Sequence, residues 1–182
     1  MKKITLFFIL FSGLIQIVTA QKLVSRNGHI WFYSHTPVED IEAHNRQSAS
    51  ILDPVAGTVQ FSLTVKSFEF QNKLMQEHFN ENYMESDVYP KAMFTGKIEN
   101  PGQIKFDTDG SYSVQVSGDL TIHGVTRAVS VPGTLAIKSG VVSVNAKFPV
   151  APADYNISIP DLVKEKIAKE VEVNIDVTYS AN

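Results

Sequence analysis

Apolar and polar residues alternate along most of the chain after Gln21. Val59, Phe61, Leu63 and Val65 are separated by Gln60, Ser62 and Thr64. Tyr112, Val114, Val116, Gly118, Leu120 and Ile122 alternate with Ser113, Gln115, Ser117, Asp119 and Thr121, and Val171, Val173, Ile175, Val177 and Tyr179 with Glu172, Asn174, Asp176 and Thr178. A period of two places each apolar set on one face of a strand, with the polar set in water, as antiparallel sheets allow. Asp109-Gly110 and Ser139-Gly140 fall where hairpin turns are expected, glycine supplying the positive φ, and His123-Gly124-Val125 reads as a third reversal. Strands are predicted over roughly 28–35, 45–52, 58–68, 91–99, 103–108, 111–123, 126–138, 141–149 and 170–180, a set of eight or nine given the uncertainty of boundaries. No repeat or linker divides them. So many strands on one chain need closure to remove their edges, and strands longer than about ten residues favour tilted barrel staves over a sandwich. The predicted fold is all-β, an antiparallel barrel.

Two segments break the period. Leu74, Met75, His78, Phe79, Asn82 and Tyr83 fall on one face at helical spacing, with Glu77, Glu81 and Glu85 in a row beside them. Asp161–Ala168, opened by Pro160, is a second and shorter predicted helix. One or two short helices are therefore expected, the first placed to cover a barrel mouth.

The first twenty residues differ from the rest. Lys2 and Lys3 precede the apolar run Ile4–Val18, and Val18-Thr19-Ala20 precedes Gln21, the pattern of a cleaved secretory signal peptide. The run is short for a spanning helix, which needs about 20 residues. The domain is then expected to occupy residues 21–182, periplasmic or secreted from a bacterium. Without Lys2 and Lys3, the 16 basic residues fall to 14 against 19 acidic ones, a net charge of −5. A net acidic chain with no basic cluster is a poor nucleic-acid binder.

Little in the chain supports catalysis. The absence of cysteine removes disulfides, thiolate metal sites and thiol nucleophiles. There is no Gly-x-Ser-x-Gly elbow and no phosphate-cradling glycine loop, since Gly57, Gly96, Gly118 and Gly133 are scattered. Glu39/Asp40, Glu85/Asp87 and Asp107/Asp109 are carboxylate pairs in predicted turns or helix faces, where solvated charge is the default. His78 and Glu81 could share an ion with His44 or His123, but no strong ligand spacing exists, and no metal or other cofactor is expected. His123, beside Gly124, reads first as a turn histidine bonded to backbone.

Two further blocks carry a resemblance. Ser86-Asp87-Val88-Tyr89-Pro90-Lys91-Ala92-Met93-Phe94 is followed about thirty residues later by Gly118-Asp119-Leu120-Thr121-Ile122-His123-Gly124-Val125-Thr126-Arg127. With Trp31-Phe32-Tyr33-Ser34-His35 before them and Ala153-Asp154-Tyr155-Asn156-Ile157 after, they resemble the YceI-like family over nearly the whole of residues 21–182. That resemblance implies an exported protein with a lipocalin-like barrel that binds polyisoprenoid lipids. Two stretches depart from the family pattern. Leu74–Tyr83 lacks the basic, histidine-containing loop of many relatives, which disfavours a phosphate-bearing ligand, and Ile159–Lys166 lengthens the last connection.

The alternating positions Phe61, Leu63, Phe94, Val114, Leu120, Ile122, Val144 and Phe148 face the barrel interior. Pattern alone leaves open whether they fill it or line a ligand cavity, because an eight-stranded barrel is only just wide enough for either. The resemblance favours a cavity. With Phe32 from the aromatic run and Met75, His78 and Phe79 from the helix, these residues form the expected ligand-binding set. The implied function is to hold a polyisoprenoid or isoprenoid-quinone-type lipid for transport or storage, without enzymatic activity. The alternative is a filled barrel that presents the acidic 77–87 segment to a protein partner in the cell envelope. An isoprenoid lipid is the expected partner, with transient membrane-surface contact and homodimer formation left open.

Overall fold

Most of the alternating segments become strands because a period-two sequence can satisfy both a core and solvent only on a pleated ribbon. The structure, a computed structural model, describes residues 21–181; the predicted leader Met1–Ala20 lies outside them. The strands are β1 (Leu23–His35), β2 (Asp40–Asp53), β3 (Thr58–Thr64), β4 (Glu69–Phe70), β5 (Lys91–Ile98), β6 (Gly110–Ile122), β7 (Val125–Lys138), β8 (Val141–Val150) and β9 (Val171–Ala181). Each pairs antiparallel with its neighbours in the order β1-β9-β8-β7-β6-β5-β3-β2, and β2 returns to β1, so eight strands close into a barrel. β4 adds to β2 outside that ring through Ala43↔Phe70 and His44↔Glu69.

Local chemistry fixes the closure. The turns at His123-Gly124 and Ser139-Gly140 carry positive φ at both central residues (50° and 72°, 51° and 78°), the two-residue geometry that matches strand twist. Gly96 and Gly118 face each other across β5 and β6. A Cβ on Gly118 would stand 2.3 Å from the Thr95 carbonyl oxygen, so only glycine lets these strands approach. Where β3 leaves β2, the fully buried Asn45 side chain donates to the Thr64 carbonyl and accepts from the Gln47 amide.

Several elements differ from the sequence expectation. Segment 103–108 is not a strand. β5 and β6 pair directly, and the loop between them folds through a short helical turn at Pro101–Gln103, turning Ile104 and Phe106 inward. Gly110 therefore opens β6 and lies outside the set of positive-φ glycines. β1 and β2 start earlier than predicted because the first residues of each pair with the last residues of the other, and those of β1 also with the end of β9. Residues 65–68 leave the strand for a helical turn, and β4 is too short to register as a pattern.

Both helix predictions also change. α1 (Lys73–His78), capped by the Asn72 carboxamide oxygen on the Leu74 and Met75 amides, is α-helical only to His78. Phe79–Tyr83 widens into a π-helical turn, with the Met84 amide donating to the Phe79 carbonyl. One extra residue per turn lets half-buried Phe79 and buried Met84 both face inward. Asp161–Ala168 forms only a single helical turn, Asp161–Val163. So short a helix is marginal alone, and here the chain is held by other groups: the Ala168 amide donates to Ser34 Oγ.

Leu52, Ile98, Ile104, Leu135, Ile137, Val142, Val177 and Tyr179 pack together at the end of the barrel that carries the 54–57, 99–109 and 139–140 connections. This cluster plugs that end.

Candidate functional site

Beyond the plug the barrel is hollow. A cavity of about 520 Å³ runs toward the opposite end, where α1 and the 151–170 connection lie. Strand alternation builds its wall: Phe32 on β1, Phe61 and Leu63 on β3, Phe94 on β5, Val114, Leu120 and Ile122 on β6, and Val144 and Phe148 on β8 all project inward. Met75, His78 and Phe79 reach it from the helical segment. All twelve residues expected from the sequence to bind a ligand thus border this one cavity.

Aromatic packing sets the position of the helical segment. Phe79 packs on Phe32, Phe68 and Phe70, with ring centroids 5.6, 5.6 and 5.0 Å apart. Such contacts contribute about 0.5–1.5 kcal/mol each beyond burial. The cluster seats α1 against β1 and β4, so Leu74, Met75 and His78 border the mouth.

The opposite side of the mouth was not read from the sequence. Ile159, Val163 and Ile167 line the cavity, although Leu162 between them is 97% exposed. Their spacing of four residues was the available signal. The insertion at 159–166 therefore falls at the mouth. Two charged side chains also border the cavity, Glu39 from the β1–β2 turn and Lys166, with Lys166 Nζ 3.5 Å from Glu39 Oε2. At the floor, the Tyr179 hydroxyl meets Ser50 Oγ at 2.7 Å, and burial pushes the phenol up to about 12 against a weaker opposing effect of the Ser50 bond.

The remaining histidines have other settings. His29 and His44 lie on the barrel exterior with Trp31; His29 Nε2 is 3.0 Å from His44 Nδ1, and burial, with Arg46 and His44 nearby, lowers the His29 pKa. His123 is buried at its turn, bonded through Nδ1 to the Tyr155 carbonyl and through Nε2 to Glu85. The carboxylate of Glu85 is therefore a bonded group and not merely a solvated one. His78, His44 and His123 are not brought together, and among the described residues no group of three acidic or histidine side chains is placed to hold a metal ion.

A family model described as the YceI-like domain matches residues 21–179. Comparison with curated proteins gives no match. Among solved structures, the chain is similar to a polyisoprenoid-binding domain from Saccharophagus degradans implicated in plant cell wall breakdown, at 17% identity and TM-score 0.78, covering 90% of this chain and 99% of that one. It is also similar to Burkholderia cenocepacia BcnA, at 20% identity and TM-score 0.68 over 84% and 96% of the two chains. A YceI protein of Campylobacter jejuni matches at 16% identity and TM-score 0.62 over 81% and 90%. At these identities the likeness shows the fold, and the closed barrel with its added strand is common ground.

Proposed function

Because the chain belongs to the YceI-like family, we propose that it is an exported carrier or store of a long apolar lipid, a polyisoprenoid or an isoprenoid quinone. One observation carries this reading: an apolar cavity of about 520 Å³, plugged at one end and bordered at the other by α1 and the 151–170 connection rather than by strands. Its size lies within the range of ligand pockets, about 300–1,000 Å³. Burying each methylene of an acyl or prenyl chain stabilises by about 0.8 kcal/mol, so several units give useful affinity with few polar contacts. The description of the Saccharophagus degradans neighbour as polyisoprenoid-binding supports the ligand class. Export rests on the leader pattern of Met1–Ala20. Family and neighbours together point to a binding protein rather than an enzyme.

Mass spectrometry of organic extracts from the purified protein tests the proposal. A stoichiometric prenyl lipid is the expected result. Empty preparations that also fail to take up an apolar fluorophore would sink it. Sequencing the amino terminus of exported protein should find Gln21 first.

A further inference from the structure

Glu39 and Lys166 are the carboxylate and the ammonium on the wall of an otherwise mainly apolar cavity, among its described lining residues, and they meet at its mouth, with the imidazole of His78 also on the wall. Both are held from their own sides. The Glu39 amide donates to Thr36 Oγ1 at 3.0 Å, and its carbonyl accepts from the Thr36 amide at 3.1 Å, closing the β1–β2 turn. On the other side, the Lys166 amide donates to the Val163 carbonyl, and the Ala168 amide two residues on is fixed to Ser34 Oγ. The Glu39 side chain is only 27% exposed, so its charge is partly removed from water.

We propose that this pair is a head-group subsite that selects a hydroxyl-bearing, uncharged isoprenoid over its phosphorylated form. The inference rests on the lipid-holding reading and adds the chemistry of the ligand's polar end. An ammonium carries three donors and a carboxylate accepts at two oxygens, so each partner keeps capacity after pairing. An alcohol or phenol can accept from Lys166 and donate to Glu39 at once, joining the pair without breaking it. A phosphate monoester near neutral pH carries a charge of about −1.5 to −2 and acts mainly as an acceptor. It must stand beside the Glu39 carboxylate, or take Lys166 and leave Glu39 unpaired in a partly desolvated position. The nearby cation Lys164 is already engaged by Asp161.

Competition for an apolar fluorophore, using geranylgeraniol and geranylgeranyl monophosphate below their micelle concentrations, tests this, because equal tails cancel. The wild type should prefer the alcohol by about tenfold or more. Glu39→Gln, which removes the repelling charge and leaves Lys166 free, should bring the ratio toward or below one. Lys166→Gln should enlarge it. Each ratio is internal to one variant, so a modest loss of folding does not alter it. Equal affinities in the wild type, or a ratio unmoved by Glu39→Gln, would remove the head-group subsite while leaving lipid holding intact. If neither lipid displaced the fluorophore, the lipid-holding reading would fall and this inference with it.

Discussion

His123 Nε2 lies 2.9 Å from Glu85 Oε2, and this bond gathers the stretches through which the sequence resembles its family. The other ring nitrogen, Nδ1, is 3.1 Å from the Tyr155 carbonyl, and Tyr89 packs edge-on against the ring at 4.4 Å. Arg127 Nε donates to the Asp154 carbonyl at 3.0 Å. Segments around 85–89, 123–127 and 154–155 are thereby clamped at one end of the barrel. None of His123, Glu85 or Tyr89 lines the cavity, so this clamp stands apart from its wall.

His123→Ala should accordingly lower stability by about 2–4 kcal/mol, from two lost bonds of a buried ring and a left-handed backbone that alanine adopts poorly. Urea unfolding should show a lower midpoint with an unchanged slope. Fluorophore affinity of the folded fraction should stay within a factor of about two, since the cavity wall is untouched. A variant of normal stability that no longer binds the fluorophore would contradict the clamp.

Gly118→Ala tests the close approach of β5 and β6. The added Cβ would stand 2.3 Å from the Thr95 carbonyl oxygen and 2.4 Å from Gly96 Cα, backbone atoms that cannot move aside singly. We expect a loss of about 3 kcal/mol or more, above the usual range for overpacking a side chain, because the strand pairing itself must open. Thermal unfolding measures it. Gly102→Ala, where the Cβ meets nothing within 4 Å, is the matched control and should be near neutral.

Hollow and packed parts of the interior should respond oppositely to volume changes. Val144→Trp projects bulk into the cavity, so it should leave the melting temperature nearly unchanged and weaken fluorophore binding about tenfold or more. Ile137, only 4% exposed within the plug cluster and not part of the cavity wall, has no such freedom toward its neighbours. Its replacement by alanine should cost about 2–5 kcal/mol. A severe loss of stability in Val144→Trp would show that the interior is already full.

The strands and their inward faces were legible because a pleated ribbon imposes its period on the sequence. This is why Phe61, Leu63, Phe94, Val114, Leu120, Ile122, Val144 and Phe148 share an inward face in the sequence pattern, whereas Phe32 is singled out only through the family resemblance. The same rule misread 103–108. Ile104 and Phe106 alternate like strand residues, but they face the plug from a loop. Glu39 and Lys166 lie in connections, where charge defaults to solvent, and only closure of the barrel brings residues so distant in sequence to one mouth. The π-helical turn at Phe79–Tyr83 was equally hidden, because it depends on where Phe32, Phe68 and Phe70 stand to receive Phe79.

Ser50 and Tyr179, bonded at 2.7 Å and 1% and 3% exposed, yield a prediction about pH as well as stability. Removing one partner strands a buried hydroxyl, so Ser50→Ala and Tyr179→Phe should each cost about 1–3 kcal/mol, and the double variant less than their sum. Burial holds the folded phenol at about 12, whereas in an unfolded chain it titrates near 10. The folded state therefore keeps its proton where the unfolded state loses it. The stability this contributes is complete below about pH 10 and is lost as pH rises through 12. Wild-type stability should fall more steeply across that interval than that of Tyr179→Phe, in which all other titrating groups are shared. Urea midpoints at intervals from pH 9 to about 11.5 give both slopes, and parallel slopes would show that Tyr179 ionises as freely in the barrel as in the open chain.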